Sequence, residues 1–331
     1  MDARGQIEEA RAVGKAVTAG GIEHVRTQAL TQVRRSMGMT REPPPACTDP
    51  ALAYFAPDSV VRRIHGDLPS MLIGGLSALL FQMLHPLAMA GVAQPSQYRS
   101  DPLGRLERTA SFLGTTTFGT RDEARDAVER VRRVHVRVTG TARDGRHYSA
   151  ADPDLLTWVH CAEVSSFLAA TRAYAPVRPT PTEEDDYLDQ MAAVAHDLGA
   201  VDVPRSVARL DAYFTEVRPR LAFTPEARTA RNFVLRGVGR WPHEVATYGL
   251  LVGAAQGVLP TWARRQLRLP ALPAGDRLAV RPSARLLGTA FRWVVTPPAT
   301  HDPGRAPTVR GGHSGGPAGQ EGRHRSVVTG Q

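Results

Sequence analysis

The sequence predicts an all-α protein: a single large helical domain between flexible N- and C-terminal segments. Three observations carry this. Hydrophobic residues make up 42% of the chain but aromatics only 6%, so the core must be built mainly from Ala, Leu and Val, and Ala and Leu favour helices. Apolar residues recur at helical spacing in one segment after another. No alternation of strand and helix patterns, which would signal a parallel sheet, runs along the sequence. The 331 residues are ample for a buried core.

Residues 1–48 are charged and weakly amphipathic and read as a helical or mobile segment, with Pro43, Pro44 and Pro45 as a stiff extended linker. The start of the chain lacks a basic stretch followed by an apolar run, so no signal peptide is expected and a cytoplasmic location is the default. The helical domain spans 49–299. No charge lies between Asp67 and Arg99, and Leu72–Leu84 is strongly apolar. A spanning helix needs about 20 mostly apolar residues. Gln82, His85 and Pro86 interrupt this run, so it reads as a buried helix ending near His85. Membrane association is the minority expectation.

Residues 121–139 are the clearest helix. Ala124, Ala127, Val128, Val131, Val134, His135 and Val138 fall on one stripe, with charges opposite. Gly140 is the expected helix stop, and Asp144 and Gly145 form a turn. Asp152 then reads as an N-cap with Pro153 at the first helical position. The helix that follows carries Leu155, Leu156, Val159, Val164, Phe167 and Leu168. Further helices are expected near 182–199, 204–218, 226–237, 242–258 and 281–295. Residues 300–331 are rich in Gly, Pro and Arg, bury too little apolar surface to offset ordering entropy, and read as a disordered tail.

The formal charge of +9 raises nucleic acid as a partner. Lys15 is the one lysine, however, and the arginines are interspersed with acids, as in Arg121–Asp126. A solvated Arg-rich surface explains the charge, and no nucleic-acid partner is expected. Cys47 and Cys161 supply neither a disulfide framework nor a Cys-rich metal site. Phosphate-loop and dinucleotide fingerprints are missing, and His243 and Glu244 begin a zinc-protease motif that is not completed. The Gly-x-Ser-x-Gly at Gly312–Gly316 lies in the tail, without the flanking strand and helix of a nucleophile elbow. Ser165 and Ser166 sit mid-helix, where serine packs or bonds to backbone.

Four of the 11 histidines, His65, His85, His135 and His160, sit beside apolar segments. His135 lies between Val131 and Val138, and His160 between Leu156 and Val164. Most histidines so placed are core residues. A haem iron nonetheless uses this setting, an imidazole held on a helix facing a dry apolar slot. Periodicity does not separate His135 from His160.

Six segments between Pro57 and Tyr174 resemble the haem-dependent oxygenases that include latex clearing protein (rubber oxygenase) and the mpaB-type enzymes. They are Pro57–Val61, His65–Asp67, Leu84–Pro86, Arg105–Thr109, Val134–Arg137 and Asp152–His160. The resemblance implies a buried haem-type pocket, haem b with its iron, molecular oxygen, and a small apolar substrate. It implies Arg105, Arg108 and Thr109 on the distal side, with Arg105 and Thr109 catalytic. It implies His135 as iron ligand, from a Val-His segment, and His160 as a neighbour of the cofactor. Two departures stand out. Arg108 replaces a lysine, and a guanidinium stays protonated. Leu87–Ser96 also lacks the carboxylate that rubber oxygenases carry upstream. Polyisoprene cleavage is therefore not implied. The uncharged 68–98 segment would suit the wall of an apolar substrate pocket. Two alternatives stay open: a non-enzymatic helical ligand-binding or interaction protein, and a non-haem metal enzyme using His160 and Glu163.

Overall fold

The computed structural model describes residues 45–93, 102–237, 242–269 and 276–295. The chain divides into a compact unit, Met1–Thr296, and a second, Pro297–Gln331, which lies outside the described residues. The expectations for residues 1–44 and for the tail fall outside them too.

The compact unit is helical. In chain order it contains α1 (Val60–His65), α2 (Leu68–Gln82), α3 (Pro86–Ala93), α4 (Pro102–Phe118) and α5 (Arg121–Arg137). A hairpin of β1 (Thr139–Thr141) and β2 (His147–Ser149) follows. Then come α6 (Pro153–Tyr174), α7 (Pro181–Leu198), α8 (Val207–Val217), α9 (Pro225–Arg236), α10 (Pro242–Val258), α11 (Thr261–Gln266) and α12 (Arg281–Val295).

Local chemistry sets these boundaries. Thr120 and Thr180 begin α5 and α7 with reciprocal capping boxes to Glu123 and Glu183. Asp152 caps α6 through the amides of Asp154 and Leu155, with Pro153 at the first position. Gly199, at φ 106°, ends α7 in the left-handed region. One stop differs from expectation. α5 closes at Val138, and Gly140 sits inside β1, paired antiparallel with Tyr148. Gly145, at φ 86°, makes the hairpin turn.

The core forms where α2 crosses α6. Gly74 permits the approach: a Cβ there would lie 2.7 Å from the Phe167 ring. Phe81, Trp158 and Tyr187 are fully buried nearby, and the Trp158 indole donates to Gln82 O at 3.2 Å, satisfying a carbonyl at the end of α2. The described part of the uncharged segment, 68–93, is therefore largely core, with Ile73, Leu80 and Leu84 almost fully buried. Among the described residues no single helix is long and apolar enough to cross a membrane. α2 and α3 pass that test together but bend by 105°.

Ser165 and Ser166 both donate to Ala162 O, as mid-helix serines do. The buried Arg62 donates to the carbonyls of Cys47, Thr117 and Phe118, closing the end of α4.

Candidate functional site

Two of the four singled-out histidines are structural. His65 is buried, with Nδ1 2.8 Å from Thr117 Oγ1 and Nε2 3.0 Å from Tyr187 OH. Burial pulls its pKa down to about 3. His85 accepts from the amide of Ala88 at 3.4 Å and packs against Trp158. Burial, aided by Arg220, lowers it to about 4.

The other two come together. His135 on α5 and His160 on α6 line one cavity of about 70 Å³ between α4, α5, α6 and α7. Glu163, one turn beyond His160, is the third titratable group in its wall. Every other lining residue is apolar, including Phe112 and Leu113 of α4 and Met191 of α7. A few convergent polar groups in an apolar enclosure is the usual composition of a ligand site.

His135 is half-buried, with its Nδ1 shielded from solvent. The end of α5 is held in place from outside the cavity: Arg132 donates to Asp197 O at 3.0 Å, tying α5 to the end of α7. The stripe that carries His135 is buried only in its first half, at Ala124, Ala127 and Val128. Val134 and Val136 are exposed, so this turn forms the rim of the protein and not its core.

His160 is buried, and its Nε2 is shielded from solvent without a hydrogen-bond partner. Burial, with the charge of His196, lowers its pKa to about 4, so the imidazole is neutral at neutral pH. Burial alone pushes the Glu163 carboxyl up to about 7. Glu163 is the one Asp, Glu, Lys or Arg between Asp154 and Arg172. That isolation in an apolar helix is the sequence signal that marks it as more than a surface contact.

Arg108 and Thr109 are exposed on α4 and do not line the cavity. Thr109 does lie one turn before Phe112 and Leu113, on the face of α4 that reaches it. Arg105 lies one turn earlier still, and its side chain falls outside the described residues. None of residues 68–93 lines this cavity, and residues 94–98 of the expected substrate wall lie outside the described residues. A larger cleft of about 420 Å³, between α6, α8 and α11, opens to solvent. Its Arg172 is already paired with Glu184, and its Arg218 stacks over Trp262.

A family model described as "ER-bound oxygenase mpaB/B'/Rubber oxygenase, catalytic domain" matches residues 62–293. The chain belongs to this family. The mpaB/rubber oxygenase match runs from the middle of α1 almost to the end of α12 and contains every wall of the cavity. The protein thus carries an oxygenase-type catalytic domain, whose class of reaction takes a small-molecule substrate and oxygen. Neither the curated proteins nor the solved structures contain a match.

The residues present fit a haem iron in their chemistry. Two imidazoles face an apolar enclosure, and one of them, His160, keeps an unsatisfied buried nitrogen. Among the described residues no cluster of three or more His, Cys, Asp or Glu side chains could hold a metal ion. A porphyrin brings four nitrogens of its own and needs only an axial ligand. The volume is smaller than the group: ligand pockets usually run to roughly 300 Å³ or more. A porphyrin would therefore require this enclosure to open, and Phe112 and Leu113 of α4 are the part of its wall tested below.

Proposed function

We propose that this protein is a haem b-dependent oxygenase acting on a small apolar organic molecule with molecular oxygen, and that His135 is the iron ligand. The observation that carries the proposal is the meeting of His135, His160 and Glu163 in one apolar-walled cavity within an oxygenase catalytic domain. Haem would supply a redox-active iron at which molecular oxygen is activated.

The chain's own groups would do the rest. His135 holds the cofactor. Arg105 and Thr109, four residues apart on α4, with Arg108 beside them, lie outside the described wall of the closed cavity and would supply hydrogen bonds to oxygen or to the cofactor's acidic groups only with the enclosure opened. Glu163, partly ionised near pH 7, gives or takes a proton at its carboxyl oxygens. It would serve in place of the carboxylate missing from Leu87–Ser96. Phe112, Val159 and Met191 exclude water and favour an apolar substrate.

A second reading has one observation behind it. His160 Nε2 is buried and unsatisfied, as a nitrogen awaiting a metal would be, and this favours His160 as the ligand. Titrating the purified protein with haemin tests the proposal. A saturable Soret band is expected, and a protein that takes up no haemin contradicts both readings.

A further inference from the structure

The cleft between α6, α8 and α11 has a volume of about 420 Å³, in the range of ligand pockets, roughly 300–1,000 Å³. Along α8 its wall is a continuous helical stripe: Val207, Leu210, Asp211, Phe214, Thr215 and Arg218. The stripe is roughly 16 Å long. The aromatic part of the wall is fixed from behind, because Phe214 and Trp262 both pack on the buried Phe81, with ring centres 5.1 and 5.4 Å from it. α6 contributes Ser165, Ser166 and Ala169. No residue lines both this cleft and the histidine cavity.

The polar groups of the cleft differ in what they still offer a ligand. Ser165, Ser166 and Thr215 each give the hydroxyl hydrogen to a carbonyl of their own helix, so none is a donor. Arg172 gives Nε and Nη2 to Glu184, which neutralises it. Arg218 is different. Its guanidinium carbon sits 4.5 Å from the centre of the Trp262 ring, and among the described residues no acceptor takes its N–H groups and no acid pairs with it. The one acid of the wall, Asp211, stands two turns before Arg218, roughly 10 Å along α8. It is near enough to Arg172 to favour the charged guanidinium there. A charge about 10 Å away is largely screened at ordinary salt, so Asp211 does not occupy the role of partner to Arg218.

We propose that this cleft is a second ligand site, separate from the histidine cavity, for an extended apolar monocarboxylate with the build of a medium-chain fatty acid. The carboxylate would accept from Arg218, whose planar fork matches two carboxylate oxygens. The chain would lie along Leu210 and Phe214 and over Ala169, towards the Val207 end of the stripe. The arrangement selects this class: one cation without a partner at one end of a long apolar groove calls for one anionic group on an apolar body. A cationic amphiphile would be repelled at Arg218, and a purely apolar molecule would leave its N–H groups unused. The proposal does not rest on the haem reading, since the two cavities share no residue.

Isothermal titration of the full chain with dodecanoate, held below its micelle concentration, tests this. Saturable one-to-one binding is expected, with dodecylamine binding more weakly. Arg218→Gln, at an exposed position, should weaken dodecanoate by about tenfold or more, the effect of losing a charged hydrogen-bond donor. Ala169→Phe places a ring inside the cleft and should abolish binding while keeping the helical circular dichroism. If it does not fold, Thr215→Trp, at an exposed position on α8, replaces it with the same expected loss. Phe112→Ala, in the histidine cavity, should leave the dodecanoate affinity unchanged. The proposal is overturned if dodecanoate does not bind saturably, or if dodecylamine binds more tightly. It is also overturned if Arg218→Gln or the filled cleft keeps wild-type affinity, or if Phe112→Ala weakens binding, which would move the ligand to the other cavity.

Discussion

Glu163 follows His160 by one turn of α6, and both open into the cavity that His135 lines from α5. Their environments push them in opposite directions. Burial holds His160 neutral, at about 4, and keeps Glu163 partly protonated, at about 7. An apolar enclosure with a neutral imidazole and a proton-bearing carboxyl is suited to moving a proton without admitting water.

The raised pKa of Glu163 has a stability consequence. Its value in the folded protein, about 7, lies above the ordinary 4.5. Between these values the unfolded chain has already released the proton and the folded protein has not. Its contribution is therefore complete below 4.5 and is lost as pH rises through about 7, a loss on the order of 3 kcal/mol. Glu163→Gln should remove this loss. Denaturant midpoints at about pH 5 and about pH 8 check it: the difference between wild type and variant should change with pH.

The buried histidines act in the other sense. His65, His85 and His160 have folded pKa values of about 3, 4 and 4, below the ordinary 6.5. Stability they contribute is present above 6.5 and is lost as pH falls towards those values. His65→Leu tests the structural role of one of them. It leaves Thr117 Oγ1 and Tyr187 OH without their partner and should cost about 2–3 kcal/mol. Haemin uptake by the folded fraction should be unchanged, because His65 does not line the cavity.

The α4 wall should govern cofactor entry. Phe112→Ala enlarges the enclosure without touching either histidine and should speed haemin uptake in stopped-flow absorbance. Thr109→Val, at an exposed site outside the cavity, should leave uptake unchanged and lower turnover. Equal uptake rates for wild type and Phe112→Ala would show that the wall does not have to move.

The close crossing of α2 and α6 sets the scaffold. Gly74→Ala forces a Cβ to 2.7 Å from Phe167 and 3.0 Å from its Cα, and overpacking of this kind costs about 1–3 kcal/mol. Thermal unfolding should show a lower midpoint with unchanged helical content.

Much of this fold was legible because its signals are local. Asp152 with Pro153 announced the start of α6, and the stripes near 182–199, 242–258 and 281–295 became α7, α10 and α12. The β1–β2 hairpin was not legible: its strands have three residues each, too few for a period to show, and Gly140 read as a helix stop. The site was partly legible. His135 and His160 stood out as imidazoles beside apolar residues, but their meeting depends on four helices far apart in sequence. Glu163 was read as half of an incomplete metal motif; its isolation in an apolar helix was the signal available, but its raised pKa arises from burial contributed by other segments. The described 68–93 part of the uncharged segment was ambiguous for a related reason: an uncharged stretch serves equally as core or as pocket wall, and packing against α6 makes this part core.

The most direct measurement is the absorbance spectrum of haemin-reconstituted wild type, His135→Ala and His160→Ala. A Soret band that survives in His160→Ala and is lost or shifted in His135→Ala is the predicted result. A band that survives in His135→Ala and disappears in His160→Ala would contradict the assignment of His135.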